Sequence, residues 1–306
     1  MLHRFQCPEY NITGHDPNFL RQCLETLRQH KFNLVSVDDI LDANRAGRTI
    51  ENAVAFTVDD GYFDHAEIGG AVFAEYDCPA TFYLVTDFVN GDFWPEDAKI
   101  KYLFETTAVP ELDWRFAEFS LTTPLKTQQQ RQIAAHNAIW ATKNLPFTQM
   151  QQATQDLAKH LEIEIPTLAP DKFRAMSWEQ AKALEKRGMR FGAHTRKHVT
   201  LSKEDDISAR AQIGESVQAV RKHLHNPSNI FCYPTGRPED FGQRDMDIVE
   251  DLGLAGALST DWGYHDQSAN RSRFSIPRIG MPGGIQDFHQ IIYYIELFKE
   301  GIRKKF

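Results

Sequence analysis

"AVAFTVDDG", residues 53–61, is an apolar and β-branched run that stops on two adjacent carboxylates and a glycine. Such a run reads as a strand buried on both faces, the kind parallel sheets contain, with Asp59, Asp60 and Gly61 at its end. Upstream, "HDPNFLRQCLETLRQHKF" predicts a helix capped by Asp16 with Pro17 at its first position. "NLVSV" predicts a short strand, and "VDDILDANRAG" a helix closed by Gly47. Downstream, "FDHAEIGGAVFAEYD" has helical spacing and "ATFYLV" (80–85) is the next strand. The rhythm resumes at "SWEQAKALEKRG", where Ser177 and Gln180 form a capping-box pattern. Strand "MRFGAH", helix "DDISARAQIGESVQAVRKHLH", strand "NIFCYP", helix "RDMDIVEDLG", strand "AGALS" and a last helix "IQDFHQIIYYIELFKE" follow. Alternating strands and helices imply an α/β fold, mostly parallel, with its chemistry at the carboxyl ends of the strands.

One segment breaks the rhythm. Residues 88–175 are aromatic and glutamine-rich, with "LKTQQQRQIAAHNAIWATKNL" the longest helical pattern, and the segment is far longer than a strand-to-helix connection requires. It is expected to be an inserted helical subdomain or lid within one domain spanning 1–306.

Composition narrows the classes. The 306 residues are 42% hydrophobic and 25% charged, which suits a globular chain with a sizeable core. A net charge of −8 argues against a generic nucleic-acid binder. No stretch is apolar enough for a membrane span, and the start "MLHRFQCPEY" has no signal-peptide core. Cys7, Cys23, Cys78 and Cys232 are too dispersed for a zinc ribbon or redox dithiol. With Met1 native, the expectation is a cytoplasmic protein; the composition leaves its oligomeric state open.

The strand ends carry the chemistry. Asp59 and Asp60 end one strand, His194 ends another, and His198 lies four residues later in "HTRKH". Two histidines at that spacing share one face of a helical turn, and two imidazoles with one carboxylate make a catalytic zinc-type site with an open position. A lone H-x-x-x-H arises by chance in a chain with 12 histidines; its placement after a strand, opposite an acidic pair, gives it weight. One carboxylate can bind a metal while the other remains a general base, because the cation offsets their repulsion.

"FTVDDGYFD", "FGAHTRKHVTLS" and "FCYPTG" resemble the first three motifs of the polysaccharide deacetylase family, the NodB-homology or carbohydrate esterase family 4 domain. "LHRF" and "CPATFYLVT" fit as well, so the resemblance covers 1–87 and 175–282. It implies a distorted (β/α)7 barrel and a metal-dependent de-N-acetylase acting on an N-acetylated carbohydrate. By that resemblance Asp59 is the general base and Asp60, His194 and His198 are the ligands of a divalent ion, Zn2+ first. Tyr233 would lend a backbone N–H to the oxyanion. The sequence departs from the pattern twice. The arginine of the third motif is replaced by apolar residues, so Arg278 in "SIPRIGM" is the candidate to orient the base. No Leu-x-His follows residue 280, so the general acid falls to His3, as in the poly-N-acetylglucosamine de-N-acetylase branch. Asp64 and His65 lie close in sequence and could support the ligands, and Phe93, Trp94, Trp114 and Trp140 could wall a sugar groove. The alternatives are an amidohydrolase of the same fold acting on a small amide or cyclic ureide, and a carbohydrate-binding relative without turnover.

Overall fold

The computed structural model describes residues 1–265 and 273–293. The end of the expected last helix, 294–300, and the basic tail fall outside the described residues. Helix α1 (Pro17–Gln29) and α2 (Val37–Arg45) flank β1 (Asn33–Leu34). The expected 53–58 strand is two: β2 (Ala53–Val54), parallel to β1, and β3 (Thr57–Asp60), which runs on through both aspartates. A π-helical turn (His65–Gly69) leads into α3 (Gly70–Glu75), then β4 (Thr81–Leu84) and α4 (Thr86–Asn90). After the insertion come α8 (Trp178–Glu185), β7 (Arg190–Ala193), α9 (Asp206–His223), β8 (Ile230–Cys232), α10 (Gln243–Asp251), β9 (Gly256–Leu258) and α11 (Ile285–Ile292). The Ser177 capping box is present.

The strands form a distorted α/β barrel. β3, β4 and β7 are parallel and in register, so that Asp60, Leu84 and Ala193 stand side by side. β8 pairs with β9, and Leu258 of β9 bridges Ile276. The Met281 N–H donates to Met1 O, and Leu2 bridges Val58 of β3. The circuit thus has seven positions: Leu2, β3, β4, β7, β8, β9 and Ile276. Among the described residues no strand ladder joins β7 to β8, which leaves a seam there.

Period-two alternation sorts the side chains. Val58, Phe82, Phe191 and Phe231 join the large core beneath the helices, where each fully buried apolar side chain contributes about 1.5–3 kcal/mol. Tyr83, Ile230, Cys232, Leu258 and Ile276 face the other way and pack as a separate apolar plug. Asp59 and Arg278 share that inward parity, and the site is built on this plug.

The 88–175 segment is not all helical. Between α5 (Glu96–Thr106) and the pair α6 (Gln128–Thr142) and α7 (Phe147–His160) lies an antiparallel hairpin, β5 (Glu111–Phe116) with β6 (Phe119–Pro124). These elements enclose a core of their own, including Leu103, Leu112, Trp114, Ile139 and Leu157. Half of the expected aromatic wall is interior: Trp114 is 1% and Trp94 2% exposed, so neither offers a face to a sugar, whereas Phe93 and Trp140 are partly exposed. Trp114 is fixed further by its indole N–H donating to Asp156. Among the contacts that tie the insertion to the barrel are two at the rim. The Phe147 N–H donates to Glu204 at 2.7 Å, and the Arg237 guanidinium lies 4.5 Å above the Trp140 ring. Within the described residues no helix is long and apolar enough to cross a membrane.

Candidate active site

The backbone bends sharply where β3 ends, at Asp60 and Gly61. Asp60 has φ +94°, a left-handed value rare for a non-glycine residue and of the kind that concentrates at functional sites. Gly61 follows at φ +93°, and a Cβ there would crowd Val89 and Leu84 at 3.1 and 3.2 Å. The pair therefore turns sharply off the strand, and the two aspartates point to different partners.

Asp59, 1% exposed, meets Arg278. The guanidinium Nη1 donates to Asp59 Oδ1 at 2.8 Å and to Thr57 Oγ1 at 3.1 Å, Nη2 lies 2.8 Å from Asp59 Oδ2, and Nε donates to Ser259 O. Burial alone would raise the Asp59 carboxyl, but the Arg278 guanidinium outweighs it and holds the group below the usual carboxylate range. Arg278 thus orients Asp59 although it lies outside the third motif. It comes from the segment after β9, 219 residues away in the chain. Cys232, at the end of β8, also meets this carboxylate, its thiol 3.6 Å from Asp59 Oδ2.

Asp60 has the opposite surroundings. Its Oδ1 is buried and accepts no hydrogen bond, yet His198 Nε2 and His194 Nε2 stand 3.3 and 3.6 Å from it. His194 Nδ1 lies 2.8 Å from the carbonyl of Cys232. A carbonyl only accepts, so Nδ1 carries the proton and Nε2 keeps its lone pair toward Asp60. Burial lowers the His194 imidazole to about 4, which keeps it neutral, as a ligand must be. His198 is not on a helical face as its spacing suggested. It ends a turn in which Thr195 and His198 have φ +61° and +56°, and its N–H donates to Thr195 Oγ1. The turn is anchored by Arg196, which chelates Asp87.

Two sets of donor atoms each lie within 4.8 Å: Asp60, His194 and His198, and Asp59, His194 and Cys232. The first suits a cation, because an orphaned buried carboxylate oxygen and an aimed imidazole lone pair converge with a second imidazole. The second does not, because both Asp59 oxygens face Arg278 and the lone pair of His194 points to Asp60.

His3 lies beside Asp59 on the neighbouring segment, where the Asp59 N–H donates to Leu2 O. Its side chain is exposed at the rim, close enough to help hold down both aspartates. Tyr233 does not fit its expected role. Its N–H donates to Leu258 O at 3.1 Å, extending the β8–β9 ladder, and its ring stacks on Phe241. An N–H committed to a sheet is not free for an oxyanion. Sequence reasoning also missed Asp97 at the start of α5, whose carboxyl interacts electrostatically with His198 and Asp60 and brings the insertion to the edge of the site.

A seven-position α/β barrel with a carboxylate–imidazole cluster and a clamped second carboxylate at its rim defines the class. The polysaccharide deacetylase family matches residues 46–257, more than half of the chain, and the chain belongs to that family of hydrolases. No curated protein matches it. Solved structures share the fold. Streptococcus pyogenes deacetylase PplD in complex with acetate is 15% identical with a TM-score of 0.58, covering 91% of this chain and 89% of that one. IcaB from Ammonifex degensii is 14% identical with a TM-score of 0.56, covering 96% and 94%. The BpsB deacetylase domain from Bordetella bronchiseptica is 14% identical with a TM-score of 0.54, covering 90% and 93%.

Proposed function

We propose that the protein is a metal-dependent de-N-acetylase of an N-acetylated amino sugar, with Asp60, His194 and His198 holding a divalent ion, Zn2+ by its donor set. The observation that carries this reading is the orphaned Asp60 Oδ1 facing two imidazole nitrogens beside a second, clamped carboxylate. When bound, the ion supplies Lewis acidity to the acetyl carbonyl and acidifies a water. Asp59, kept ionised by Arg278, takes the proton of the attacking water. His3, exposed at the rim on the segment beside Asp59, gives a proton to the departing sugar nitrogen. Neither step leaves an acyl group on the chain. The match to the polysaccharide deacetylase family supports the substrate class without fixing its length.

The test is acetate release from N-acetylglucosamine oligomers, run beside hydrolysis of an allantoin-type ring. The proposal expects acetate from the sugar, and loss on the order of 10²- to 10⁴-fold in Asp59→Asn. Turnover of the ring alone would overturn it.

A further inference from the structure

We infer that Asp64 and His65 are positioning residues for the proton donor, fixing the chain that carries His3 so that its imidazole faces the leaving nitrogen. The inference rests on the reading of His3 given above. It differs from the sequence expectation, which had these two residues supporting the metal ligands.

Both side chains are fully buried. Both turn toward residues 3–5. The His65 imidazole Nε2–H donates to the carbonyl of His3. Asp64 Oδ2 accepts the Phe5 N–H at 2.6 Å, and its Oδ1 accepts Arg4 Nε at 2.8 Å. Arg4 in turn donates to Lys172 O and lies 4.0 Å above the Tyr62 ring. Two consecutive side chains thus grip the main chain on either side of Arg4, just beyond the residue expected to act.

That grip is needed because residues 2–5 form no strand. Single bridges join Leu2 to Val58 and Phe5 to His15, and the stretch between them lacks a continuous ladder. The local structure of 64–69 serves the same end. The π-helical turn begins at His65, and such turns recur at functional sites. A Cβ on Gly69, at the end of that turn, would overlap the Phe5 ring, so glycine lets the segment seat closely. Burial lowers the His65 pKa, which keeps the ring neutral with Nε2–H as donor to the carbonyl. A buried carboxylate and a buried imidazole are costly, and they persist here because each meets a main-chain group of the acid-bearing segment.

The test uses two substrates with the metal-loaded, full-length protein. An N-acetylglucosamine oligomer needs its amine leaving group protonated, whereas 4-nitrophenyl acetate releases a phenolate that does not. His65→Leu is expected to lower kcat on the oligomer on the order of 100-fold, with aryl acetate turnover nearly unchanged. His65→Gln, which keeps an N–H at the Nε2 position, is expected to restore the oligomer activity. In a His3→Ala background His65→Leu should add nothing. Parallel loss on both substrates, or an effect that adds to His3→Ala, would overturn the inference and leave His65 as a fold residue. Full oligomer activity in His3→Ala would instead overturn the donor assignment itself. If His65→Leu does not fold, Asp64→Asn serves in the same comparison: selective loss on the oligomer supports the inference, and no loss or parallel loss contradicts it.

Discussion

The barrel rim and the insertion are built in opposite ways. At the rim, Asp59 and Arg278 meet across 219 residues of chain, and His194 donates to Cys232 across 38. The insertion closes on itself through neighbouring elements: a hairpin, α5 against α6, and its own apolar core. The rim gathers charged and titratable groups that are costly to bury, while the insertion gathers apolar ones. The proposed chemistry therefore belongs to the barrel, and the insertion borders it through Asp97 and the Trp140–Arg237 and Phe147–Glu204 contacts.

The largest expected effect breaks the rim. Arg278→Gln leaves Asp59 as a buried carboxylate without its cation, which should destabilise the fold by about 3–5 kcal/mol and abolish turnover, read by denaturant melts and acetate release. Arg278 acts at long range, so the loss should appear in the global transition. An effect of similar intrinsic size, but local and without loss of the rim, is expected in the insertion. Trp114→Ala removes a side chain that is 1% exposed together with its bond to Asp156, an intrinsic cost of about 3–5 kcal/mol. The prediction is a separate, earlier transition, with hydrogen-exchange protection lost between 96 and 160 and metal binding at the rim retained. If instead metal affinity falls with the insertion, the two regions are one cooperative unit and the contrast is wrong.

The legible parts of the molecule are those whose signal is local. The strand–helix alternation, the Ser177 capping box and the strand-end placement of Asp60 and His194 all follow from neighbouring residues. The hairpin at 111–124 has an alternating pattern, Leu112, Trp114 and Phe116 against Asp113 and Arg115, but its tight turn at Ala117 and Glu118 carries no Asn-Gly or Asp-Gly signal. Helical patterns on both sides then masked it. Tyr233 was misjudged because a strand partner, Leu258, fixes its N–H from 25 residues away, which no motif reveals. Burial of Trp94 and Trp114 likewise depends on what the insertion packs against. Arg278 was a candidate from its place after a strand, but its pairing with Asp59 depends on the barrel bringing its segment beside Thr57, which no local pattern shows.

The most direct test is metal stoichiometry by elemental analysis and calorimetric Zn2+ titration of the chelated protein, compared across wild type, His194→Ala and Cys232→Ser. The expected result is one ion per chain in wild type, none retained in His194→Ala, and an unchanged stoichiometry in Cys232→Ser, because the thiol belongs to the Asp59 side. An ion lost in Cys232→Ser, or one still bound after His194→Ala, would contradict it.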